Sequence, residues 1–270
     1  MEQFRSGSGL AYRVHTTRAS SPGSPVFVLL HGIGMSHRYL ARLHAELASS
    51  ATVISFDLPG FGGTPKPARA VPVEEYAQLV GHALTRAGVR SYVVVGHSMG
   101  CQFAVELARQ RPALVSHAVL IGAVVDARRR SALRQGVALA IDSLGEPPSV
   151  NAIVFTDYLR CGPRWYLTEL PEMFAYPTEQ RISELQAPVL VIRGTRDPIA
   201  GRAWSAALAA RAPRGRMLEL PGAHVVQHRV PSLVADGIRS FLGAELMPDP
   251  PAVTPLTPQE QWEQRGSHED

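Results

Sequence analysis

Gly96-His97-Ser98-Met99-Gly100 is the stretch on which the reading of this chain turns. A short apolar run, Tyr92-Val93-Val94-Val95, precedes it, and a helix-like segment from Gln102 to Arg109 follows. The pattern predicts a strand, a sharp turn carrying a serine, and then a helix. A serine hydroxyl is a weak nucleophile until a base takes its proton and donors await the oxyanion. A strand-turn-helix elbow lifts the serine oxygen above the carboxyl edge of a sheet and aims the next N–H at the reacting carbonyl. Gly96 and Gly100 leave room for that turn and for the adjacent strands.

Outward from the elbow, strand and helix patterns alternate. Before it come an N-terminal hairpin over residues 1–17, an apolar strand at Pro25 to Leu30, and a helix with Ser36 as cap. A strand from Ala51 to Phe56 and a helix from Glu74 to Ala87 follow, with Gly88 as the stop. After it come strands at His117 to Val125, Pro188 to Arg193 and Met217 to Leu220, and helices at Ala203 to Ala210 and Pro231 to Leu242. Continuous apolar strands alternating with helices predict an α/β fold: a mostly parallel sheet with helices on both faces. Residues 126–186 break this rhythm with prolines and aromatics and no strand pattern, and are read as a helical cap inserted over the carboxyl ends of the strands. The core is then 1–125 and 187–244, and 245–270 is a Pro-rich tail expected to be disordered or loosely docked.

A serine elbow needs a base and a group to orient it. Asp197 stands just past one strand, in Gly194-Thr195-Arg196-Asp197-Pro198, and His224 occupies the equivalent loop after the last strand, in Pro221-Gly222-Ala223-His224. Parallel strand ends share one edge, so Ser98, Asp197 and His224 can converge in the chain order Ser, Asp, His. Asp126 after the preceding strand is the rival acid, and His228 is the rival base. The oxyanion donors are expected from the backbone of Met99 and of Ile33, with Gly34 next. His31 is read as a support of that loop, Asp57 as an anchor of loop backbone, His97 as pointing away from the serine, and Cys101 as a buried small residue.

With these motifs quoted, the chain resembles an α/β-hydrolase-fold serine hydrolase with a helical cap. His31-Gly32, Asp57-x-Pro59-Gly60-x-Gly62, the elbow, the Asp197 loop and the His224 loop stand in family order over residues 8–243. The resemblance implies eight strands, the second antiparallel, and a cap after the sixth. It also implies hydrolysis of an ester-like bond in a small or medium apolar substrate through an acyl-enzyme on Ser98. Acyl transfer or carbon–carbon cleavage on the same triad, and a non-catalytic ligand-binding role, are the alternatives. Serine at the elbow argues against relatives that place aspartate there. Lack of a His-Gly-Gly-Gly run makes bulky tertiary esters less expected. Gly34, Trp165 and Phe174 are candidates for touching substrate.

Composition narrows the remaining classes. The 270 residues are 45% hydrophobic, enough for one large core. The formal charge of +4 rests almost wholly on arginine, with Lys66 as the single lysine. Arg128-Arg129-Arg130 has no aromatic interleave, so no nucleic-acid partner is expected. No apolar run reaches membrane-spanning length, and no signal-peptide pattern opens the chain. Cys101 and Cys161 make no disulfide framework, which fits a cytoplasmic setting. No Cys-x-x-Cys or His-Glu-x-x-His spacing occurs, so no metal or cofactor is expected. The expected partner is a small-molecule substrate, with the chain a monomer or homodimer.

Overall fold

The computed structural model describes residues 2–125 and 148–245. A single eight-stranded sheet runs in the order β1-β2-β4-β3-β5-β6-β7-β8. The strands are β1 (Glu2–Arg5), β2 (Ala11–Thr17), β3 (Val26–Leu30), β4 (Thr52–Asp57), β5 (Tyr92–His97), β6 (Val115–Ile121), β7 (Val189–Gly194) and β8 (Gly215–Leu220). β2 pairs antiparallel with both β1 and β4; all other pairings are parallel. The predicted fold class, eight strands and antiparallel second strand are all present.

Apolar residues on successive positions of the central strands serve two different cores. In β3, Val28 and Leu30 face one cluster while Phe27 and Leu29 face the other. The first is closed by α2 (Val73–Arg86), α3 (Gly100–Gln110) and α7 (Arg202–Arg211), the second by α1 (Ala41–Ala48) and α9 (Pro231–Glu245). A strand buried on both sides has no polar alternation, which is why these runs read as continuous apolar stretches.

Of the cap, the described part is α4 (Pro148–Cys161), α5 (Pro163–Ala175), the short α6 (Thr178–Arg181) and a 3-10 turn at Ile182–Glu184. It follows β6 and precedes β7, as expected. Asp126 and the Arg128–Arg130 run lie outside the described residues, as does the tail beyond Glu245.

Most element bounds fall within two residues of the sequence reading, and three differences go further. β6 ends at Ile121 rather than Val125, because Gly122 turns the chain out of the sheet with φ +59°. α9 continues past the predicted Leu242 to Glu245. Ser36 does cap a helical segment, accepting from Arg38 N at 3.3 Å, but that segment is a 3-10 turn, His37–Leu40, leading into α1. No helix among the described residues is long and apolar enough to cross a membrane.

Candidate active site

Ser98 is the one non-glycine residue with positive φ (56°) among the described residues. That conformation costs a residue with a side chain on the order of 1–3 kcal/mol and persists only where neighbours enforce it. The neighbours here are close-packed backbone. A Cβ on Gly96 would stand 2.1 Å from Gly100 O, and one on Gly100 would stand 2.2 Å from Leu30 O. Ser98 N donates to Ile121 O at 3.0 Å, tying the turn to β6. The Cys101 thiol donates at 3.3 Å towards Gly96 O and Ile121 O, and burial pushes it far up from its ordinary pKa, so it is an inert filler under the elbow.

Asp197 and His224 meet beside this turn. His224 Nδ1 lies 2.9 Å from Asp197 Oδ2, and both side chains are buried. The other carboxylate oxygen accepts Ile199 N and Ala200 N, each at 2.8 Å. Burial alone would raise the Asp197 pKa, but His224 and these N–H donors outweigh it and hold it below the ordinary carboxylate value. The pair fits because Gly122 has no side chain: a Cβ there would stand 2.9 Å from His224 Cε1 and 3.0 Å from its Nδ1. A Cβ on Gly194 would stand 2.1 Å from Ala223 O, so the acid and histidine loops also touch through backbone. His228, the rival base, sits on the four-residue α8 (Val226–Arg229), where burial and then Arg42 lower its pKa.

The loop after β3 runs past the serine. A Cβ on Gly32 would lie 2.9 Å from Ser98 Cβ. His31 Nδ1 stands 2.8 Å from Gly32 O, and Leu58 N donates to its Nε2 at 3.1 Å. A carbonyl can only accept and an amide can only donate, so His31 carries its proton on Nδ1; burial keeps it neutral. It thereby staples the loop bearing Ile33 to the loop after β4. Ile33 and Met99 are both buried, and among the described residues neither amide has a backbone partner.

Asp57 anchors the same region. Its carboxylate accepts His37 N at 2.7 Å and lies 2.9 Å from His37 Nδ1 and 3.1 Å from His15 Nε2. These three side chains also gather possible metal-ligand atoms within 4.8 Å, a grouping that no linear motif announces. The two imidazoles, however, stack face to face, 3.4 Å between centroids and 14° between planes. Lone pairs in parallel planes run side by side rather than converging, so the group reads as a carboxylate clamp on the loop.

The cap is pinned to this rim by buried polar contacts. Asp157 on α4 accepts Ser36 Oγ at 2.6 Å and Arg38 Nη1 at 3.3 Å. Gln102 Nε2 donates to Met173 O at 2.8 Å. Tyr158 lies on Gly34, where a Cβ would stand 2.5 Å from its ring, with the Tyr166 ring next at 3.4 Å. Trp165 instead covers Gly60, in the loop after β4, and Phe174 packs against the core as a partly buried side chain. Of the sequence candidates, Gly34 thus lies under two cap tyrosines, two residues past the Gly32 that packs on Ser98. The spacing of these two tyrosines does not tell which face of a cap helix looks down.

Comparison with known proteins agrees with this fold. The model of the family described as "Alpha/beta hydrolase family" matches residues 27–237. An uncharacterized protein of Mycobacterium tuberculosis is 36% identical over 121 residues, 45% of this chain and 34% of that protein, so the match spans about a third of that relative's length. Among solved structures, a thermophilic esterase from Thermogutta terrifontis superposes with a TM-score of 0.77 at 20% identity, covering 90% of this chain and 99% of that one. The enol-lactonase from Burkholderia xenovorans LB400 gives 0.76 at 20% identity, covering 87% and 97%. At such identities these likenesses speak for the fold.

Proposed function

Because the chain belongs to the alpha/beta hydrolase family, we propose that it is a serine hydrolase, cleaving an ester-like bond of a small or medium apolar substrate through an acyl-enzyme on Ser98. The observation that carries this reading is the His224–Asp197 hydrogen bond of 2.9 Å at the sheet edge where Ser98 is held at φ 56°. Asp197 engages Nδ1, which leaves Nε2 of His224 as the atom to receive the serine proton. Ser98 Oγ then bonds to the substrate carbonyl carbon, and its electron pair moves onto oxygen. The N–H groups of Met99 and Ile33 are the donors for that oxyanion, each typically contributing about 3–4 kcal/mol. Collapse expels the alcohol, which takes the proton from His224. Water, deprotonated by the same imidazole, releases the acid and restores Ser98. Asp197, kept ionised by its surroundings, holds the tautomer and stabilises the imidazolium.

Tyr158 and Tyr166 over Gly34 support an apolar, size-limited site. A fluorophosphonate probe tests the nucleophile: wild type takes the label and Ser98→Ala does not. A p-nitrophenyl ester series of rising acyl length then reports the pocket, with turnover expected to fall for long chains. Label that persists on Ser98→Ala would end the proposal.

A further inference from the structure

The loops after β5 and β8 stand three strands apart in the sheet, about 14 Å at the usual strand spacing. His224 must therefore reach back past the ends of β7 and β6 to approach Ser98. The spacing between nucleophile and base would then accumulate error from every intervening strand, unless something joined the two directly. One side chain does. His97, the residue before the nucleophile, has Nε2 3.0 Å from the backbone carbonyl oxygen of His224.

We propose that His97 is a positioning residue, which fixes the distance and orientation of His224 relative to Ser98 by holding its main-chain carbonyl. The inference rests on the hydrolase reading above. A carbonyl only accepts, so Nε2 of His97 bears the proton and Nδ1 is bare. Nδ1 is buried and has no hydrogen-bond partner among the described residues, so the ring's hydrogen bonding serves this one contact. Its position is set by packing: the Tyr39 ring meets it edge-on at 5.0 Å, and the His224 ring lies 4.8 Å away, tilted by 58°. Burial first, and then His224, push the His97 pKa down to about 3, so it remains a neutral donor across the working range. The base is thereby gripped at two points, Nδ1 by Asp197 from the loop after β7 and the carbonyl by His97 from the elbow itself. The second grip is the one that refers His224 to the nucleophile's own strand.

Three variants separate positioning from packing. Gln places an amide nitrogen near the position of Nε2 and can still donate. Asn is polar but too short to reach, and Leu fills space without a donor. With Ser98→Ala as the blank, kcat for a short p-nitrophenyl ester is expected to fall roughly 10- to 100-fold in His97→Leu and His97→Asn, with KM nearly unchanged. His97→Gln is expected to stay within about threefold of wild type. Thermal unfolding marks any variant that fails to fold, and the remaining two then decide. Wild-type kcat in a folded Leu or Asn variant overturns the inference, as does a folded Gln variant as slow as Asn. A wild type that takes no fluorophosphonate label fails earlier, and sinks the hydrolase reading on which this rests.

Discussion

Gly122 is where a single hydrogen in place of a methyl group decides whether the base and its acid can meet. Its φ of +59° suits glycine, and the missing Cβ leaves the space taken by the His224 ring. Gly122→Ala should displace that ring, and a displacement near 1 Å lowers kcat by about 100-fold. Steady-state turnover, read beside a melting curve, checks this; an alanine variant with wild-type kcat would show that the ring has slack. Asp197→Asn keeps the shape but offers His224 the wrong partner, and kcat should drop by about 10⁴-fold with the fold intact. Ser98, Asp197 and His224 could be read from sequence because each follows an apolar strand within a few residues. Gly122 and His97 could not be read so, because their partners lie about one hundred residues or more away and nothing local announces them.

At the scale of elements, the cap is held by carboxylates that sit in apolar surroundings. Glu169 on α5 is fully buried and accepts Val71 N at 2.9 Å, joining the cap to the loop before α2. Burial pushes its pKa up to about 7, against the pull of that N–H. The unfolded chain would titrate this carboxyl near 4.5. A raised carboxyl pKa means that the folded state binds the proton more tightly, so its stabilising share is full below pH 4.5 and is lost as pH rises through about 7. Glu169→Gln should remove this loss, so that the variant gains on wild type steadily between those limits. Urea midpoints measured across the range test it, and a constant difference between the two proteins would refute the assignment. The helical character of 148–186 was legible from spacing and the absence of strands. The face each cap helix turns downward was not, because both helices carry large apolar side chains on the outer face as well, Phe155 and Leu159 on α4 and Leu167 on α5.

For the molecule as a whole, ionisable groups withdrawn from water make stability a function of pH with a definite sign. Burial lowers the pKa of His15, His31, His44, His97 and His228 below the ordinary 6.5 at which the unfolded chain would titrate them. Below that value the unfolded chain binds more protons, so each such histidine withdraws stability as pH falls, by up to about 1.4 kcal/mol per pH unit. Asp57 and Asp197 are held below their ordinary 3.8, so they add a further loss at still lower pH. Glu169 works in the opposite sense between 4.5 and about 7, but as one group against five. Unfolding free energy should therefore climb with pH up to near 6.5 and flatten above it, with acid unfolding steepening once the aspartates protonate. The strand runs that bring Asp57, His97 and Asp197 to the carboxyl edge were plain in the sequence, while the desolvation that shifts them is a property of the assembled edge. Chemical denaturation at about pH 5.5 and about pH 7.5 decides the matter: equal free energies at both would mean that the buried histidines pair with protons in the fold as readily as they do outside it.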